Sequence, residues 1–322
     1  MQKSLVILSL SLTGSIAYAA DESSTIDYDN YTPKHVYSLR PSNESTSLSW
    51  AMENSSADLL TIDEIAKLPS KYDFSSAITA IHDQGRLGSC TAQAITLSME
   101  YKLQEMAAYQ RLSPLFLYYN ERKLMGTINE DSGASLSDGI KAICTWGVCR
   151  ESLWTYSDDK KKFRVKPTNE AYEDAKNYMG LDSIKTSYVT YSLDSIKARL
   201  AKNIPVVFGV YVYPSFESGN AEKTGKIPMP GLNERPIGGH ALMFTGYDDE
   251  AKEFKFANSW GTRWGDKGFG YLKYDYVMNV GATPNRPLFF ANDIWSIDRI
   301  GQESALTELQ ESSQDVSVRQ AA

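Results

Sequence analysis

Apolar residues recur at helical spacing from Thr91 to about Leu103, at Ala92, Ile95, Met99 and Leu103, and predict a helix there. Two more helices are expected at Pro114 to Lys123, with proline at the start, and at Leu136 to Trp146, closed by Gly147. Asp194 to Lys202 suggests a fourth. After Ile204 the pattern changes to β-branched and aromatic runs, PVVFGVYVY, HALMFTGYD, KEFKFANSW and GFGYLKYDYV, separated by Gly, Asp and Asn turns. The chain therefore reads as a mainly helical half followed by a mainly β half, with a cleft expected between them. Between the first two strands runs a polar loop, Pro214 to Gly239, long enough to form a functional wall or lid.

The two ends have a different texture. Lys3, the apolar run Leu5 to Ile16 and the small-residue stretch Ala17-Tyr18-Ala19 predict a secretory signal peptide over residues 1–19. That run is about 12 residues, against the roughly 20 that a spanning helix needs, so export is expected and stable membrane insertion is not. Residues 20–67 are polar, with one helix-like patch at Ser56 to Lys67, and lack the apolar content for a core of their own. They are expected to be a flexible leader or a short pro-segment lying on the main domain, 68–300. Residues 301–322 read as a polar tail.

Composition narrows the function classes. Of 322 residues, 42% are hydrophobic and 23% charged, which is ordinary for a globular protein, and the net charge of −7 argues against nucleic acid or an anionic membrane surface as partner. The short basic cluster Lys160, Lys161, Lys162 and Arg164 reads as a solvated loop. Only three histidines occur, His35, His82 and His240, so no multi-histidine metal site is expected. His35 lies in the leader and carries no expected role; His82 reads as a surface or packing residue. Export permits disulfides, and Cys144 and Cys149 in CTWGVC are near enough to pair if the helix ends at Gly147. Such a bridge would leave Cys90 unpaired.

Cys90 stands at the start of the first helix, after the turn DQGRLGS. A thiol attacks carbonyl carbon as thiolate, which a helix N-terminus and a nearby histidine both favour. His240, after Gly238 and Gly239 at the head of a strand, is the candidate proton acceptor. Its second ring nitrogen needs an acceptor to fix the tautomer, and Asn258 in FANSWG offers one, with Trp260 able to shield the bond. Gln84 and the Cys90 N–H are candidate donors to an oxyanion. Singly, Gln84 and Asn258 are ordinary turn amides; together with Cys90 and His240 they make an acyl-transfer constellation.

These residues carry a resemblance. Through QGRLGSC around Cys90, GGHALMFTGYD around His240 and NSWGTRWGDKGFGYL around Asn258, the chain resembles the papain family of cysteine peptidases over roughly Leu68 to Ile300. His240 follows Cys90 by 150 residues and Asn258 by 168; the family spacing is about 130–150. The resemblance implies an α+β fold with a helical left half packed on a right half built on an antiparallel sheet or barrel. It also implies a peptide or protein substrate, no metal or organic cofactor, and a substrate wall including Gly133, Gly239, Trp260 and Trp264. Three departures stand out: Gly88 replaces a family cysteine, Thr91 replaces the bulky aromatic after the nucleophile, and the leader is too short for the long helical pro-domain of many members. Two other classes stay open: a transglutaminase-like acyltransferase, which uses the same kind of groups, and a binding protein on this fold, which would be expected to have lost one of the four groups, none of which is missing here.

Overall fold

The computed structural model describes residues 26–42, 49, 61–178 and 184–300. The expected signal peptide (1–19), residues 56–60 of the Ser56 to Lys67 patch and the tail (301–322) lie outside the described residues. Of that patch, a single helical turn, α1 (Ile62–Ile65), is described.

Helix α2 (Cys90–Glu105) runs through the centre of the molecule and is buried on almost every face, including Thr91, Gln93, Thr96, Ser98 and Glu100. Polar side chains survive there because each finds a hydrogen-bond partner: Thr96 Oγ1 donates to the Ala92 carbonyl at 2.7 Å, Ser98 Oγ to that of Ala94 at 2.9 Å, and Glu100 accepts from the Leu112 N–H at 2.9 Å. Helix α3 (Pro114–Met125) begins with a Ser113 cap that accepts from the Phe116 N–H and ends at Gly126, in the left-handed region at φ 72°. Helix α4 (Leu136–Trp146) is capped by Ser135. It packs so close to α2 that a Cβ on Gly139 would meet Ile95 Cδ1 at 2.3 Å. A short helix α5 (Asn169–Ala175) completes this half.

The other half is a seven-stranded antiparallel sheet. Its strands are β1 (Lys71–Asp73), β2 (Ile184–Tyr188), β3 (Val206–Val212), β4 (Gly238–Asp248), β5 (Glu253–Ala257), β6 (Phe269–Lys273) and β7 (Trp295–Ile300), ordered β2-β7-β3-β4-β5-β6 with β1 against β4. Helix α6 (Leu193–Ala201) packs beside it. The long loop after β3 is not structureless: it forms a 3₁₀ turn, Pro214–Glu217, and helix α7 (Gly219–Thr224). The run GFGYLKYDYV is a strand only as far as Lys273; from Tyr274 it turns into helix α8 (Tyr274–Val277).

Two apolar clusters hold these layers. One lies between the helices and the sheet, with Ile95, Met99, Leu117, Ile140, Val207, Met243 and Trp295. The other lies on the far side of the sheet and is aromatic, with Phe208 stacked on Phe244 at 3.5 Å and Phe216, Phe256, Trp260 and Trp264 beside them. Cys90 belongs to the first cluster and Trp260 to the second, so the candidate residues meet where the two halves join.

Candidate active site

The turn before Cys90 is tied to the strand region that carries Asn258. Asp83 and Trp260 form an antiparallel bridge, and the Gln84 N–H donates to the Ser259 carbonyl at 2.9 Å. The Gln84 side chain is fully buried: its Oε1 accepts from Ser259 Oγ at 2.7 Å, which aims Nε2 the other way. Tyr156 braces the turn, its hydroxyl 2.8 Å from the Gln84 carbonyl and 2.7 Å from Ser89 Oγ. Asp131 Oδ1 accepts from the Gly88 N–H at 3.0 Å. Cys90 follows as the first residue of α2.

His240 lies on β4 opposite Val210 of β3. Its Nε2 is 2.9 Å from Asn258 Oδ1, which also accepts from the Ser259 N–H at 2.8 Å. An amide oxygen can only accept, so Nε2 carries the proton and Nδ1 keeps its lone pair. Nδ1 has no hydrogen-bond partner among the described residues. Trp260 stacks on the imidazole at 4.8 Å and Trp264 stands edge-on to Trp260 at 5.0 Å, so the His240–Asn258 bond is shielded from water.

Cys90 and His240 are both fully buried, and burial pushes their protonation toward the neutral forms. It raises the Cys90 thiol to about 11, although backbone groups of Ala241, Ser38 and Thr91 act the other way. It lowers His240 to about 4, against the hydrogen bond that His240 donates to Asn258.

Much of that burial comes from the leader, whose residues 35–42 run through the cleft. His35 stacks on Trp260 at 3.9 Å and 3° between planes, and Tyr37 meets the edges of His240 and Trp260. The Val36 carbonyl accepts from Gln84 Nε2 at 3.1 Å. The Leu39 N–H donates to the Gly239 carbonyl and the Arg40 N–H to that of Ala134, both at 2.9 Å. Gly133, at φ 68°, is pressed so close that a Cβ would meet the Ser38 carbonyl at 1.7 Å. Ser42 Oγ ends the run on the buried carboxylate of Asp293 at 2.7 Å. Among the described residues, the segment lying over the cleft is this extended stretch, and His35 takes part in it. Nothing in its polar composition signalled this, because many of its contacts use backbone atoms, such as the Val36 carbonyl and the Leu39 and Arg40 N–H groups.

Other residues fall elsewhere. His82 is buried, not on the surface, with Gln93 Oε1 at 2.9 Å from Nδ1 and Glu100 Oε2 at 3.1 Å from Nε2. Cys144 and Cys149 form no bridge. Cys144 lies in the last turn of α4, Cys149 follows the Gly147 cap, and all three cysteines are free, buried thiols. Thr91, where an aromatic was expected, donates to Glu121 Oε2 at 2.8 Å, and burial raises that carboxyl to about 8. Ser259, Tyr156 and Glu121 were not anticipated; Ser259 alone had a local signal, its place within NSWG.

Comparison with known proteins agrees with this arrangement. Residues 68–285 match the model of the papain family cysteine proteases. An uncharacterized peptidase C1-like protein of Acanthamoeba polyphaga mimivirus is 40% identical over 74% of this chain and 76% of its own. Cathepsin K of Gallus gallus is 25% identical over 69% of this chain and 64% of its own. Among solved structures, xylellain, a cysteine protease from Xylella fastidiosa, is 34% identical with a TM-score of 0.71, covering 83% of this chain and 97% of that one. A proCathepsin B from Trypanosoma congolense shares the fold at 15% identity and a TM-score of 0.57, covering 82% and 87%. With the family model spanning more than half the chain and the fold in agreement, the chain belongs to the papain family and is a cysteine-type peptidase.

Proposed function

We propose that this peptidase is exported and cleaves peptide bonds through Cys90, His240, Asn258 and Gln84, and that its leader holds it latent. The observation that carries the reading is the single hydrogen-bonded set formed by His240, Asn258, Ser259 and Gln84, with the thiol at the start of α2 against the backbone of Ala241, the residue after His240. In this reading His240 Nδ1 takes the Cys90 proton, and the thiolate attacks the carbonyl carbon. The oxyanion then accepts from Gln84 Nε2 and the Cys90 N–H. The imidazolium returns the proton to the leaving amine, and water, deprotonated by His240, hydrolyses the thioester. Asn258 holds the ring through both steps.

Latency follows from what the leader does to this set. It fills the position of the oxyanion with the Val36 carbonyl and pairs with Gly239 and Ala134, backbone that a substrate strand would use. It also buries the thiol and imidazole, so that they rest as a neutral pair and not as thiolate and imidazolium. Leu39, buried among Gly209, Gly239 and Phe290, stands where an apolar substrate side chain would bind. Gly133 and Gly239 form the walls, with Trp260 and Trp264 on the leaving-group side. The domain limits are those read from the sequence: signal peptide 1–19, leader 20–67, peptidase 68–300 and tail 301–322, with release into the periplasm or medium.

Intact mass after exposure to an epoxide inhibitor of papain-like enzymes tests the reading, on the full chain and on a chain beginning near Leu68. The expected result is slow labelling of the first and fast labelling of the second, at Cys90, and none in Cys90→Ala. A folded short form that stays unlabelled, or that is labelled elsewhere, would overturn it.

A further inference from the structure

Glu217 ends the 3₁₀ turn after β3, and its side chain is 4% exposed. A desolvated carboxylate persists only where donors surround it. Among the described residues, every hydrogen-bond donor recorded on this carboxylate belongs to the leader. They are the hydroxyls of Tyr31 and Tyr37, the Lys34 N–H at 2.8 Å and the His35 N–H at 3.3 Å. The Lys34 ammonium adds a bond to the Glu217 carbonyl at 2.9 Å and an ion pair with Glu222 of α7 at 2.6 Å.

The position of this acidic pair relative to the chemistry is set by three consecutive leader residues. The Val36 carbonyl meets Gln84, His35 covers Trp260, and Lys34 reaches Glu217 and Glu222. A substrate carbonyl attacked by Cys90 occupies the first of these places. The peptide beyond it, on the leaving-group side, passes over Trp260 toward the third.

We infer that Glu217 and Glu222 form a specificity-determining subsite for lysine or arginine in the two positions after the scissile bond. This rests on the catalytic reading given above. When the leader leaves, Glu217 loses the donors recorded on it, and a cationic side chain with its backbone N–H restores both kinds of contact. An acidic side chain, or a free C-terminal carboxylate, meets two like charges instead, which favours cleavage within chains over trimming of their C-termini. Leader and substrate compete for the same clamp, and the leader has already chosen a lysine for it.

Two quenched fluorogenic peptides test this, identical except for Lys-Lys or Glu-Glu after the scissile bond, with the cut confirmed by mass. The enzyme is the full chain carrying Tyr31→Phe, Lys34→Ala and Tyr37→Phe, which removes the leader's side-chain donors to the clamp. Both peptides sample the same open fraction, so the ratio of their kcat/KM values is independent of residual latency. The expected ratio is at least about 10 in favour of lysine, falling to within about threefold of unity when Glu217→Gln and Glu222→Gln are added. Equal cleavage of the two peptides, or a preference that survives both substitutions, overturns the inference and leaves the catalytic reading intact. If Cys90 of this chain is labelled by the epoxide inhibitor, so that the cleft is open, and neither peptide is cleaved, the catalytic reading fails and the inference with it.

Discussion

Gln84 Nε2 donates to the carbonyl of Val36 at 3.1 Å, so a donor proposed for the transition state is already engaged by the protein's own leader. The amide is held in that orientation by Ser259 Oγ on its other end.

Gln84→Ala should lower kcat by about 10²–10³ on a peptide substrate while leaving KM nearly unchanged, because the lost bond strengthens only as the oxyanion forms. Steady-state kinetics on the activated enzyme measure it. A change confined to KM would assign Gln84 to ground-state binding.

The reactivity of Cys90 should depend on pH differently with and without the leader. In the full chain the thiol lies near 11, so alkylation by a small reagent should climb about tenfold per pH unit through the neutral range, following the thiolate fraction. His240, near 4, is neutral throughout that range and supplies no cation to stabilise the thiolate. Removing the leader restores solvent to both groups. The plateau should then move down by several units, as a pH series of alkylation rates would reveal.

Gly133→Ala should free the thiol and impair turnover together. A methyl at this left-handed position, φ 68°, would lie 1.7 Å from the Ser38 carbonyl, so the leader must leave that wall, and a substrate strand meets the same obstruction. The expected result is faster labelling of Cys90 in the full chain alongside a kcat/KM lowered by about 10-fold or more, since ground-state pairing with the wall is lost. Slower labelling would show that the leader is not held there.

Glu121 should make the fold less stable as pH rises. Burial lifts its carboxyl from 4.5 to about 8, so between those values the folded state binds more protons than the unfolded chain. Stability from this group is full below about 4.5, declines across the window, and is lost above about 8. Glu121→Gln keeps an acceptor for Thr91 Oγ1 without the charge. Its melting temperature should exceed that of the native chain at pH 8 and approach it near pH 5.

How much of this was legible in the sequence depended on where the signal lay. Helix α4 was read residue for residue, because Gly147 marks its end. The strand β7, WSIDRI, mixes charge and hydroxyls into a short run and escaped notice; its place beside β2 and β3 is set by tertiary pairing. The candidate site was visible because Cys90, His240 and Asn258 each stand in a distinctive local motif. His35 and Glu217 had none. Their roles come from backbone amides and ring stacking between segments far apart in the chain, 182 residues for His35 and Glu217, which no local pattern encodes.

The paired bonds Leu39 N–H to Gly239 and Arg40 N–H to Ala134 also have a mechanical meaning. Gly239 rides on the sheet and Ala134 precedes the helical wall, so the strap ties the two halves together across the gap between them. In the latent reading, its release removes two ties between the halves as well as clearing a path. The freed halves are then held together only by their own packing.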